Sequence, residues 1–221
     1  MIKAISFDGN GVLYYRSKDV SDSVLEYIKT NYKSNLEVDE NRKKFRELLE
    51  RSFSHEFSKL EMLERYLDYA GITDLNHRKD IIDKEMEFSR TVELYPTESE
   101  TILELNKRGY KLGMITNTYQ SAAEKADWFL RLGLGCVVEE VVSSIEIGIA
   151  KPNVGIYQEF LRRVGYEPRE VAYVAHDEEE LIGAHNAGMV TISFNYEGNF
   201  KADYHLEVFK DILDIPELYK F

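Results

Sequence analysis

Four polar positions stand at the ends of apolar runs or in the loops beyond them. Asp8 follows Ile2-Lys3-Ala4-Ile5-Ser6-Phe7, and Thr116 follows Lys111-Leu112-Gly113-Met114-Ile115. Lys151 precedes Pro152, and the acidic group Asp177-Glu178-Glu179-Glu180 follows Val171-Ala172-Tyr173-Val174-Ala175. Each alone has an ordinary structural explanation. Asp8 suits a turn in which its carboxylate accepts from following amides, and Thr116 with Asn117 suits a helix N-cap. Lys151 suits a solvated loop, and the glutamates suit a helix start whose dipole favours acids. Together, in this order, they supply a carboxylate, a hydroxyl, a cation and a second acidic cluster, which is the set that phosphoryl transfer requires.

A carboxylate can attack phosphorus to give an acyl phosphate, dividing one difficult hydrolysis into two easier steps. Nucleophile and substrate are both negative, so their repulsion must be offset. A hard cation such as Mg²⁺, held by carboxylate and carbonyl oxygens, would do this together with one lysine and one hydroxyl.

The elements that must position these groups follow from periodicity. Residues 2–7 read as a buried strand that runs into the glycine-permitted turn Asp8-Gly9-Asn10-Gly11. Helical patterns then occupy 21–32, 39–53, 58–69 and 76–88, with Gly71 the only glycine between Ser17 and Tyr95. From Pro96 onward strands are expected at 111–115, 137–142, 171–175 and 190–194. Helices are expected at 97–108, 120–132, after Pro152, where proline suits a first helical turn, and up to Ala187-Gly188. Alternating strands and helices predict an α/β fold with a Rossmann-like parallel sheet covered by helices on both faces. The helical block is an insertion after the first strand, which gives a core of 1–16 and 95–221 and a helical-bundle cap of 17–94. In such sheets ligands bind beyond the carboxyl ends of the strands, where the four groups are expected to converge.

The chain of 221 residues is long enough for one α/β domain and an insertion, and its 15 Tyr and 11 Phe supply core material. A formal net charge of -12 argues against nucleic acid or an anionic membrane as partner and leaves a small phosphorylated metabolite in a locally positive pocket. Cys136 is the only cysteine, so it reads as packing rather than as half of an internal disulfide. No apolar run reaches signal-peptide or membrane-spanning character, which makes the cytoplasm the expected location. The oligomeric state is not legible.

The segments Phe7-Asp8-Gly9-Asn10-Gly11-Val12-Leu13, Met114-Ile115-Thr116-Asn117-Thr118, Ala150-Lys151-Pro152-Asn153 and Val174-Ala175-His176-Asp177 through Gly183-Ala184 to Ala187-Gly188-Met189 carry a resemblance. In order and spacing they are similar to the motifs of the haloacid dehalogenase-like phosphatases. That resemblance implies that Asp8 is the nucleophile and a ligand of Mg²⁺, that the main-chain oxygen of Asn10 faces the metal, and that Thr116, with Asn117 beside it, binds the substrate phosphate. Lys151 then stabilises both Asp8 and the transferring group.

Two departures stand out. Phosphatases of this superfamily carry an aspartate as general acid and base where this chain has Asn10. An amide cannot donate and reclaim the proton, and the expected loss is about 10²- to 10⁴-fold. In the acidic motif, Ala175-His176 stands where the first acid belongs, which leaves Asp177 as the expected metal ligand. Glu178 is the fallback, Glu180 an acid acting through water, and His176 a polar residue of the loop. Two other readings keep the fold. One is a metal-independent 2-haloacid dehalogenase, in which Arg42, Arg46 or Arg51 would hold the substrate carboxylate. The other is a binding or regulatory protein without chemistry. Tyr14, Tyr15 and Arg16 lie at the junction of core and insertion, as cleft lining or as hinge packing.

Overall fold

The computed structural model describes residues 1–53 and 56–218, with the side chains of Pro96 and Cys136 outside the described set, and with them the packing expected of Cys136. The chain forms two compact units, Met1–Tyr15 with Glu93–Phe221, and Arg16–Val92.

The first unit is built on β1 (Ala4–Phe7), the two-residue strands β2 (Tyr14–Tyr15) and β3 (Glu93–Leu94), β4 (Lys111–Thr116), β5 (Val138–Ser143), β6 (Val171–Ala175), β7 (Val190–Phe194) and β8 (Tyr204–Leu206). Six of these form one sheet in the order β5-β4-β1-β6-β7-β8. All of its pairings are parallel, so this is the Rossmann-like sheet that the alternating pattern predicts. β1 and β6 are buried at every residue, which is why they read as continuous apolar runs rather than as an alternation. Ala4, Ile115, Val142, Tyr173 and Ala175 share one core cluster with Ile156, Tyr157, Phe160, Leu181 and Ala184 from two helices. Elsewhere in the core, Phe7 and Phe194 each pack on Phe209, with ring centroids 5.9 and 5.2 Å apart.

The strands that the sequence hides are the short ones. β8 is a three-residue edge strand, and β2 pairs antiparallel with β3 as a ribbon of two residues a side, too short for any period to register. In sequence, the second unit is inserted between these two ribbon strands.

That unit consists of α1 (Val20–Asn31), α2 (Val38–Phe53), α3 (Lys59–Ala70) and α4 (Leu75–Arg90). Its boundaries follow local chemistry. Asp19, Ser58 and Asp74 cap the free amides of α1, α3 and α4, and Gly71 ends α3 in the left-handed conformation. Val24, Leu25, Ile28, Phe45, Leu48, Met62, Tyr66, Leu67 and Ile81 form its own apolar core.

The remaining helices of the first unit are α5 (Pro96–Lys107), α6 (Ala122–Arg131), α7 (Ser144–Ile147), α8 (Val154–Val164) and α9 (Glu178–Asn186). α8 opens later than expected: Pro152 precedes its N-cap, Asn153, whose side chain accepts from the Gly155 amide. No helix among the described residues is long and apolar enough to cross a membrane.

Glu159 on α8 accepts from Arg162 at 2.8 Å and from Arg163 at 2.7 Å, and Arg163 also donates to the Val141 carbonyl of β5 at 3.0 Å. The two guanidiniums push the Glu159 carboxyl down to about 2 from its ordinary 4.5. A depressed carboxyl stabilises the folded state above its ordinary value, and that contribution is lost as pH falls from about 4.5 through about 2. In thermal unfolding followed by circular dichroism, the wild type should therefore exceed Glu159→Gln by a constant margin near neutrality. The margin should shrink only below about pH 4.5.

Candidate active site

The site starts from the register of three adjacent strands. Phe7 pairs with Met114 on one side and Val174 on the other, so β1, β4 and β6 deliver Asp8, Thr116 and His176 near the same level of the sheet's carboxyl edge. The Asp8 amide donates to the Val174 carbonyl at 2.9 Å and extends the pairing to Asp8 itself. Asp8 is buried at 7% exposure and Thr116 at 4%.

Lys151 reaches this point from the loop before α8. Its ammonium lies 2.5 Å from Asp8 Oδ1, 2.8 Å from Glu180 Oε1 and 3.1 Å from the Tyr173 hydroxyl, with its side chain 1% exposed. The Tyr173 hydroxyl donates to Glu180 Oε2 at 2.8 Å, and the Tyr157 hydroxyl donates to the Glu180 carbonyl at 2.9 Å. Two carboxylates therefore share one buried ammonium. Burial works against the charge on Lys151, but Asp8 and Glu180 outweigh it and hold the amine above its ordinary value. Burial and the neighbouring Asp8 push Glu180 up by more than Lys151 and Tyr173 pull it down. Burial, then the nearby carboxylates, keep the Tyr173 phenol far above its ordinary value, so it serves as a proton donor.

Asn117, expected beside Thr116 at the substrate phosphate, is bonded to the backbone of Lys151. Its Oδ1 accepts from the Lys151 amide at 2.7 Å and its Nδ2 donates to the Lys151 carbonyl at 3.0 Å, so both ends clamp the lysine backbone. The loop carrying Asn117 is fixed in turn from the end of β5. Ser144 Oγ accepts from the Thr118 amide at 2.9 Å and donates to the Thr118 carbonyl at 3.0 Å, while Ser143 Oγ donates to the Gln120 carbonyl at 2.6 Å.

The acidic group is distributed differently from the sequence reading. Asp177, expected at the metal, is exposed and caps α9, its Oδ1 accepting from the amides of Glu179 at 2.9 Å and Glu180 at 3.2 Å. Glu178 turns to the following loop, where its Oε2 accepts from the Tyr196 hydroxyl at 2.9 Å and the Asn199 amide at 2.7 Å. The group from this segment that faces Asp8 is His176, whose Nδ1 lies 3.4 Å from Asp8 Oδ2. Asn10 is exposed in the turn after β1. Gly11 there has φ +89°, and a Cβ on it would stand 3.0 Å from the His176 ring, so backbone conformation and ring contact both require glycine.

A second buried lysine escaped the sequence reading. Lys125 on α6 is 1% exposed, lies 3.8 Å above the Trp128 ring, and donates to the Tyr14 hydroxyl at 2.9 Å. That hydroxyl would be 2.6 Å from a Cβ on Gly9, so it closes directly over the turn that holds Asp8. The signal was present: Lys125 lies three residues before Trp128 and four before Phe129, on the apolar stripe of its helix. Tyr15 bonds Glu93 at 2.9 Å and stacks on Tyr95 at 4.6 Å, and Arg16 donates to the Ser89 carbonyl at 3.0 Å. Arg42, Arg46 and Arg51 are engaged inside the helical unit by Asp22 and Asp39, by Asp19, and by Glu47 and Glu56 respectively.

Among the described residues no group of three or more His, Cys, Asp and Glu side chains stands ready to hold a metal ion. The donors gathered at Asp8 are one carboxylate oxygen and one imidazole nitrogen. They fit a divalent cation that completes its shell with main-chain, water and substrate oxygens.

A parallel sheet with a buried carboxylate and lysine beyond its carboxyl edge defines an α/β fold whose site sits where such sheets bind ligands. The chain belongs to the haloacid dehalogenase-like hydrolases, which it matches over residues 2–188. It is 30% identical over 197 residues to the glyceraldehyde 3-phosphate phosphatase of Methanopyrus kandleri, covering 87% of this chain and 83% of that one. It is 27% identical over 222 residues to the pyrophosphatase PpaX of Bacillus cereus, covering 97% and 96%. The crystal structure of a 2-haloacid dehalogenase from Pseudomonas syringae pv. Tomato DC3000 shares the fold with a TM-score of 0.73 at 21% identity, over 97% of each chain.

Proposed function

We propose that this hydrolase is a phosphatase that cleaves a small phosphorylated metabolite through an aspartyl phosphate on Asp8. The observation that carries the reading is the Lys151 ammonium, 2.5 Å from one oxygen of a buried Asp8 and anchored from behind by Glu180 and Tyr173. Relatives named as a glyceraldehyde 3-phosphate phosphatase and as a pyrophosphatase favour phosphorus over carbon as the electrophile.

In the first step an Asp8 oxygen bonds to phosphorus and the bond to the leaving oxygen breaks. In the second, water adds to phosphorus and frees both phosphate and the carboxylate. Lys151 offsets the negative charge that builds on the equatorial oxygens, and the Thr116 hydroxyl donates to one of them. Asn117 positions Lys151 rather than touching substrate. The family resemblance implies Mg²⁺; Asp8 and His176, with the main-chain oxygen of Asn10, are the groups that would hold a divalent cation. When bound, that cation neutralises charge on the nucleophile and on the phosphate.

Asn10 leaves the leaving group without a proton donor, so turnover is slow. Asn10→Asp should raise kcat by about 10²-fold in initial-rate assays, because one positioned acid and base contributes at least that much. The reading itself is tested with para-nitrophenyl phosphate and a panel of phosphorylated metabolites, with and without chelator. Chelator-sensitive phosphate release is expected, and no release at any metal concentration would remove the proposal. The pairing of Arg42, Arg46 and Arg51 within their own unit weighs against the dehalogenase alternative. Halide release from a chloroacid without metal would decide for it.

A further inference from the structure

We infer that His176 is a nitrogen ligand, and that the cation of this site is a first-row transition ion of the Zn²⁺ and Co²⁺ class rather than Mg²⁺. The inference rests on the metal-assisted phosphatase reading above and goes beyond it by naming the ion class and the residue that selects it.

The first observation is an orphaned atom. His176 Nδ1 is buried and has no hydrogen-bond partner, although the side chain as a whole is 38% exposed. A buried polar nitrogen left unsatisfied costs free energy, so its place calls for a partner. The charged group it faces is Asp8, whose Oδ2 is 3.4 Å away, while Oδ1 is occupied by Lys151. The free oxygen of the nucleophile and the free nitrogen of the imidazole thus point toward one space.

The second observation is that the turn is shaped around the ring. Any Cβ at residue 11 would meet His176 Cε1 at 3.0 Å, and the Asn195 amide donates to the Gly11 carbonyl at 3.3 Å, which holds the turn against that side of the site. Ring and nucleophile are therefore placed by neighbouring strands and a fitted turn rather than by a loose side chain.

The third is the chemistry of the pair. Mg²⁺ takes oxygen ligands, whereas imidazole suits transition ions.

The test reads binding, not turnover. Co²⁺ is titrated into the full chain in the presence of inorganic phosphate, following the visible absorption of the ion, with excess Mg²⁺ as competitor. The wild type should give a saturable band that Mg²⁺ does not remove. His176→Asp should weaken Co²⁺ binding by more than about tenfold, the loss that even an outer partner of a ligand can cause, and should gain Mg²⁺ binding. His176→Gln, checked by thermal unfolding for an intact fold, should lose the band without that gain. Equal displacement by Mg²⁺ in the wild type, or Co²⁺ affinity unchanged in a folded His176 variant, overturns the inference. A protein that binds Co²⁺ through His176 yet releases no phosphate from any ester removes the phosphatase reading and leaves this inference standing. A Mg²⁺-loaded phosphatase indifferent to His176 does the reverse.

Discussion

Asp8→Asn is expected to abolish phosphate release, lowering kcat by at least about 10⁴-fold, because no other group can take over a nucleophile that acts as one unit with its partners. Its effect on the fold should be small. Asn keeps the shape and an acceptor for Lys151, and Glu180, 2.8 Å away, remains to pair the ammonium. Removing one of two carboxylates on a shared cation also relieves their repulsion, so urea unfolding should change by about 1 kcal/mol or less. Steady-state rates and denaturation, measured on one preparation, check both halves of this expectation.

Lys151→Met carries the second large effect and has a different signature. Kinetically it should lower kcat by about 10³-fold, the upper range for losing one preorganised donor at a developing charge. Structurally it should cost about 3–5 kcal/mol, because it leaves Asp8 and Glu180 buried side by side without a cation. Their side chains are 10% and 17% exposed, which limits rescue by water. Adding Glu180→Gln to Lys151→Met should restore much of the stability and none of the activity. If the double variant unfolds as early as the single one, the shared-cation account of this cluster fails.

The contrast between these variants reflects what the sequence made legible. Asp8 and Thr116 could be read because parallel strands are continuous apolar runs whose ends are sharp, so the polar residue at each end stands out, and Lys151 because it precedes Pro152 in the loop before α8. Asp8 and Lys151 meet in the structure although 143 positions separate them. The part that stayed hidden depends on which way a side chain leaves its turn. Asp177 and His176 are adjacent in sequence, and only the direction of the backbone entering α9 sends one to the helix cap and the other to Asp8. Reading acids as ligands and histidine as a polar loop residue followed the preference of Mg²⁺ for oxygen, whereas the structure shows Asp177 capping α9 through Oδ1.

Glu180 and Tyr173 illustrate another limit. Their common grip on Lys151 needs a strand residue and a residue on the first turn of the following helix to face the same pocket, and no periodicity encodes that coincidence. The α/β fold itself was readable from the alternation of elements, whereas β2, β3 and β8 were too short to leave a pattern.

Whether the carboxylate of Asp8 becomes covalently phosphorylated is the question on which the account turns, and an acid quench during turnover answers it most directly. Peptide mapping by mass spectrometry should find one phosphoryl group on the peptide containing Asp8 in one portion of the quenched protein, and homoserine in place of that residue, with the phosphate released, in a second portion reduced with borohydride. Phosphate release with no label on that peptide, or with the label on His176 instead, would contradict the mechanism.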